Sequence, residues 1–119
     1  MAKKKLLIAE AKDYLADIMY EYLDGDYECF RAKTLDDIVH KIPEADGIVL
    51  SLNIRKDTSM KSDGLVRLVK SLNDVPMLVL TSMLSSTIRI HMLEAGAEDV
   101  MTKPFNPDEL KLRIQKLLK

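Results

Sequence analysis

Four polar side chains close short apolar runs, and their types are those that do chemistry. Glu10 follows Leu6-Leu7-Ile8-Ala9, Ser51 follows Gly47-Ile48-Val49-Leu50, Thr81 follows Val75 to Leu80, and Lys103 stands just past Val100-Met101. A carboxylate, two hydroxyls and an ammonium could serve acid–base, metal or phosphoryl chemistry if the fold gathers them. Charge arithmetic narrows the choice. Glu10 and Lys103 cancel and Ser51 is neutral, so the set lacks the surplus of carboxylate that draws a hard divalent cation to oxygen ligands. A serine hydroxyl is a weak nucleophile unless a base activates it, and both histidines, His40 and His91, fall inside helical patterns rather than at strand ends. There is no glycine-rich phosphate loop, no nucleophile–base pair and no cluster with metal-ligand spacing. The expectation is a domain that is not an enzyme and carries neither cofactor nor metal.

The elements that must position these residues are legible as alternating patterns. Apolar runs at 5–9, 27–31, 47–52 and 75–80, with a brief one at 100–101, have the length and continuity of buried parallel strands. Between them the apolar residues recur at helical spacing: Leu15, Ile18, Met19 and Tyr22, stopped by Gly25; Leu35, Ile38, Val39 and Ile42, opened by Thr34 with Asp37 and ended by Pro43; and Leu65, Leu68, Val69 and Leu72. Ser85 or Ser86 caps a helix that runs through Glu94 to Gly96. Asn106-Pro107-Asp108-Glu109 opens a last helix whose core face is Leu110, Ile114, Leu117 and Leu118. The reading is one α/β domain over residues 1–119, with no internal repeat or linker. It predicts a flavodoxin-like, doubly wound parallel sheet of five strands in the order 2-1-3-4-5 with five helices. In that order the carboxyl ends of strands one and three flank the crevice where function sits, which is where Glu10 and Ser51 fall.

Composition sets the setting. The 119 residues are 47% hydrophobic and 31% charged, with a net charge of -1, which gives no general attraction to nucleic acid or acidic lipid. No run is long enough to span a bilayer, and the basic start Lys3-Lys4-Lys5 leads into an apolar stretch stopped by Glu10, without a signal-peptide cleavage site. The lone Cys29, next to Phe30, reads as a buried thiol in a reducing cytoplasm. Most of the seven methionines read as core; Met60, in the polar stretch 53–62, is the one expected to meet a partner.

The segment Gly96-Ala97-Glu98-Asp99-Val100-Met101-Thr102-Lys103-Pro104-Phe105 resembles the Gly-Ala-x-Asp-Tyr-x-x-Lys-Pro-Phe segment of response-regulator receiver domains. Pro76 to Ser82 is similar to that family's fourth strand with its signalling threonine, here Thr81, and Asp63-Gly64 to the dipeptide that opens its third helix. The resemblance implies a pocket in which two acids ending the first strand hold Mg²⁺ and an aspartate ending the third accepts a phosphoryl group. Here the acids read Glu10-Ala11, the acceptor position reads Ser51, and the aromatic switch position reads Val100, while Thr81 and Lys103 are kept. The expected pocket is therefore a degenerate one, made of Glu10, Ala11, Ser51, Thr81 and Lys103, without Mg²⁺. Lys103 is expected to pair with Glu10 and Thr81 to bond Ser51. The resemblance also implies a cis Lys103–Pro104 bond.

Arg89, Asp99, Glu109 and Arg113 match charged positions through which winged-helix relatives of the family form symmetric dimers by the fourth helix, fifth strand and fifth helix. Two acids facing two arginines are self-complementary across a two-fold axis. The expected role is a pseudo-receiver in two-component-like signalling. It would act through protein partners or its own dimer, with an output domain attached after the fifth helix, and without direct nucleic-acid binding. The competing expectation is phosphorylation by a serine/threonine-type kinase on Ser51 or on Thr58 or Ser59, beside Arg55, Lys56 and Lys61.

Overall fold

Leu6 to Ala9, Ile48 to Leu50 and Met77 to Leu80 are all buried, and their alternate side chains point into two separate cores. The computed structural model describes residues 2–54, 60–83 and 85–119. It contains strands β1 (Lys5–Ala9), β2 (Glu28–Ala32), β3 (Gly47–Ser51), β4 (Met77–Thr81) and β5 (Asp99–Thr102). The helices are α1 (Asp13–Leu23), α2 (Leu35–Lys41), α3 (Ser62–Leu72), α4 (Ser86–Ala95) and α5 (Pro107–Leu117). All strands are parallel, in the order β2-β1-β3-β4-β5. This is the expected flavodoxin-like sheet.

Leu7, Ala9, Ile48, Leu50, Val79 and Val100 face α2, α3 and α4, whose Ile38, Leu65, Val69 and Met92 complete one core. Leu6, Ile8, Val49, Leu78, Leu80 and Met101 face α1 and α5, which contribute Met19, Leu23, Leu110 and Ile114 to the other. Each fully buried Leu or Ile adds about 1.5–3 kcal/mol. Pairing of Ala9 with Leu50, Ser51 with Leu80 and Thr81 with Thr102 aligns the strand ends along one edge.

Helix starts follow their capping chemistry. Thr34 accepts from the Asp37 N–H while the Asp37 carboxylate accepts from the Thr34 N–H, Ser85 accepts from Ile88, and Asn106 accepts from Asp108 and Glu109 ahead of Pro107. Gly96, at φ 121°, ends α4 in a conformation that side chains rarely adopt.

Several boundaries differ from the sequence reading. β3 stops at Ser51, because Leu52–Ile54 winds into a short 3-10 turn whose Leu52 and Ile54 are buried, so part of the stretch read as polar loop is core. Residues 55–59 of that stretch lie outside the described residues, and its end, Ser62, already belongs to α3. α2 stops ahead of Pro43 as read, but Ile42, counted on its apolar face, belongs with Pro43 to the 3-10 turn Ile42–Glu44 that follows. β5 is longer than the brief apolar run suggested, extending to Asp99 and Thr102. Val39, Leu68 and Leu72, read as core-facing, are exposed, since their helices cover the sheet with a narrower stripe than the apolar count implies. Met60, expected at a partner surface, is partly buried against the first core. Cys29 is half-buried, and burial together with Asp24 pushes its thiol up to about 12, which keeps it protonated and inert.

Replacing Gly96 with alanine is expected to cost about 1–3 kcal/mol, because the positive φ is strained for any side chain and the Lys70 stem lies 3.1 Å from the new Cβ. Urea denaturation with an unchanged m-value is the measurement; a variant as stable as the parent contradicts this account of the turn.

Candidate functional site

The carboxyl ends of β1, β3 and β4 and the residue following β5 bring Glu10, Ser51, Thr81 and Lys103 to one edge of the sheet, as the order of strands requires. Each is placed by the backbone of its neighbour. The Glu10 N–H donates to the Ala32 carbonyl, extending the β1–β2 ladder one residue, and the Lys103 N–H donates to the Thr81 carbonyl at 2.8 Å. The Lys103–Pro104 peptide is cis, as the resemblance implied. Upstream, Glu98 fixes β5 against β4 by accepting from the Met77 N–H and from Lys70 of α3.

The centre of the site is the Lys103 ammonium. It donates to Glu10 Oε1 at 2.8 Å and to Ser51 Oγ at 2.6 Å. The other carboxylate oxygen of Glu10 accepts from the Lys12 N–H at 2.9 Å and from the Asn53 side-chain amide, while the Asn53 carbonyl oxygen accepts from the Ala11 N–H. The Glu10 backbone carbonyl is taken by Arg31, whose guanidinium also binds Asp13. Glu10 and Ser51 are fully buried. Burial alone would raise the carboxyl of Glu10; the hydrogen bonds from Lys103, Lys12 and Asn53 and the Lys103 charge outweigh it and hold the group below the ordinary range.

The expected Glu10–Lys103 pair is present, but Thr81 does not bond Ser51. The Thr81 hydroxyl instead closes a local loop with the Met83 backbone, accepting from its N–H and donating to its carbonyl, because the chain turns sharply after β4. Ala11 contributes only its N–H. Val100 is fully buried in the core beneath α4. Asn53 and Arg31 were missed by the sequence reading. The available signal for Asn53 was a lone polar residue between Leu52 and Ile54, and for Arg31 a cation between Phe30 and Ala32 near the end of the second strand.

As ligands for a hard divalent cation these residues fit poorly. They offer a single carboxylate, already neutralised by an ammonium in hydrogen-bonding contact, a neutral hydroxyl and an amide oxygen in use. No cluster of His, Cys, Asp or Glu suited to a metal occurs among the described residues. His40 donates from its ring Nδ1 to the Asp36 carbonyl on α2 and His91 lies exposed on α4, so neither is a base for Ser51.

On the other side of β5, Arg113 binds both oxygens of Asp99 at 2.8 and 2.9 Å and reaches Glu109 at 3.3 Å. Three of the four expected dimer residues are thus joined within one molecule, and Arg89 of α4 takes no part.

No family model matches the chain. Among solved structures, a two-component response regulator from Clostridium difficile superposes with a TM-score of 0.87 at 18% identity, covering 98% of this chain and 96% of that one, a likeness of fold. The Vibrio cholerae chemotaxis protein CheY4 reaches 0.84 at 25% identity over 98% of this chain and all of its own. Together with the strand order, the likeness to CheY4 and to curated response regulators supports, for this chain, a receiver domain of the response-regulator type. Its curated relatives include the transcriptional regulatory protein VxrB of Vibrio cholerae, 30% identical over 120 residues that take in all of this chain and 48% of that protein. The chain spans about half the length of such relatives. No described helix is long and apolar enough to cross a membrane.

Removing Lys103 leaves a buried carboxylate without its counter-charge, and Lys103→Ala is expected to lose about 3–5 kcal/mol. The pair Glu10→Gln with Lys103→Met, which removes both charges, regains most of that loss. The lowered carboxyl gives a sign: its contribution is full above the ordinary value of 4.5 and is lost as pH falls through the folded-state value. Asp13, held low by Arg31, and Asp37, held low by the Lys33 N–H, add to the same acid slope. The difference between parent and Glu10→Gln in urea titrations at stepped pH isolates Glu10, and identical acid slopes contradict the assignment.

Proposed function

We propose that this receiver domain is a pseudo-receiver, a non-enzymatic regulatory module that signals by protein contacts without aspartyl phosphorylation and without Mg²⁺. The observation that carries the reading is the Lys103 ammonium bonded at once to Glu10 and Ser51, which neutralises the site from within. Phosphoryl transfer depends on positioning and electrostatic stabilisation, and here the acceptor position is a buried hydroxyl without a base. The relative named a transcriptional regulatory protein, about twice as long, supports an attached output domain as the receiver of the signal. Phosphorylation of Ser51 by a serine/threonine-type kinase gains no support from a fully buried, bonded hydroxyl, and Thr58 and Ser59 lie outside the described residues.

Beryllofluoride or acetyl phosphate with Mg²⁺ is expected to leave the amide resonances of Ser51, Asn53 and Lys103 unmoved. Saturable shifts at these residues overturn the reading.

In the same reading the contact surface is α4, β5 and α5. Ile90 is 51% exposed and Leu112 61%, and Arg89 and the Asp99–Arg113–Glu109 network accompany them. Because that network is satisfied internally, apolar contact rather than charge exchange drives self-association. Sedimentation is expected to show a reversible dimer that Ile90→Glu abolishes and Arg113→Ala weakens less. A monomer at every concentration, or the reverse ranking, counts against it.

A further inference from the structure

Beside the strand-end network, a groove of about 520 Å³ is lined by α1 and by the segment that enters α5. Tyr14, Leu15 and Ile18 come from the helix, and Pro104, Phe105 and Pro107 from the segment. Tyr14 is 61% exposed, a large ring left in water at the groove. The polar lining is cationic. Lys12 and Lys103 contribute it together with Asn53 and Ser82, and no carboxylate lines the groove among the described residues. A smaller cleft of about 210 Å³ shares Asn53, Ser82 and Lys103 with the groove. An ammonium has three donors, and Lys103 spends two of them on Glu10 and Ser51, so one remains for these cavities.

A mostly apolar concavity of about 300–1,000 Å³ with a few placed polar groups is the common form of a small-molecule site. Its rings and prolines suit a flat apolar body, and Lys12, with the donor that Lys103 has left after pairing with Glu10 and Ser51, favours an anion over a cation or a neutral group. A bare inorganic anion would leave the apolar walls wet. We propose that the groove binds a small aromatic carboxylate, with its rings against α1 and Phe105 and its carboxylate toward Lys12 and Lys103. The occupant then touches the residue that holds Glu10 and Ser51 together, so binding is felt in that network. The inference rests on the groove and stands apart from the fate of Ser51.

Titration of isotope-labelled protein with naphthoate, naphthamide and naphthylmethylammonium tests it. Naphthoate is expected to give saturable amide shifts at Leu15, Ile18 and Phe105 with a Kd of about 0.1–1 mM. The amide is expected to bind at least about tenfold more weakly and the ammonium to produce no saturation. Lys12→Ala and Tyr14→Ala, both at exposed positions that should not disturb the fold, each weaken naphthoate several-fold, while Leu112→Ala, at an exposed position of α5 outside the groove's lining, does not. Equal binding of the three probes, shifts centred on α4, or no saturation up to the solubility limit overturns the proposal.

Discussion

A buried carboxylate must be compensated where it stands, and Glu10 sets that requirement for this molecule. It has no exposed surface, so every one of its oxygens is met by a donor: Lys103, Asn53, the Lys12 N–H and, at the backbone, Arg31. Those donors come from β2, from the residue ahead of α1, from the turn after β3 and from the residue following β5, and the long-range ones are brought together by a sheet in which β1 lies between β2 and β3. The ion pair is weak evidence for net stability, since moving both charges out of water costs most of what their attraction returns. Its structural force lies in the alternative. Any arrangement that separates Lys103 from Glu10 leaves a charge in the interior.

How much of this was legible in the sequence depended on the range of the physics involved. Strand and helix identities, the strand order and the Thr34, Ser85 and Asn106 caps rest on local pattern and turn chemistry, and they appear where the pattern put them. The Glu10–Lys103 pair was also legible, because the doubly wound order brings the ends of the first and last apolar runs to one edge of the sheet, where their opposite charges meet. Thr81 was misassigned to Ser51 because a hydroxyl has two ways to be satisfied, and the two-residue return to Met83 requires no long-range approach. Asn53 was not legible as a member of the site, since its role depends on the 3-10 turn that follows β3, and a turn of three residues leaves no periodic trace. Val39 and Leu72 show the opposite limit: an apolar residue at helical spacing is not obliged to be covered.

The charged face at β5 illustrates why residue types alone do not define an interface. Asp99, Glu109 and Arg113 invite a two-fold exchange of charge, but the i,i+4 spacing of Glu109 and Arg113 on α5 and the position of Asp99 at the start of β5 allow the same groups to satisfy one another within a chain. Burial of the guanidinium is partial, and Asp99 first, then Glu109, raise its affinity for the proton further. An exchange between protomers would break one such contact for each one made. What distinguishes the face from an ordinary solvated surface is therefore its uncovered apolar content, Ile90, Leu93 and Leu112, rather than its charges.

Lys103 and Thr81 both have structural roles at the strand-end site. Thr81 is held by its own turn and Lys103 by the carboxylate it neutralises, so both have structural employment without any transferred group. Lys103 is nevertheless not sealed in: its side chain is 15% exposed, against none for Glu10. A cation held on one side by a buried acid and open on the other to a cavity is a point where an incoming anion can shift a hydrogen-bond network without metal or covalent chemistry. The extent of that shift is limited by the difference in affinity between the two arrangements of Lys103, and Glu10, which cannot be left unpaired, keeps the difference small unless Asn53 and the Lys12 N–H take over the charge.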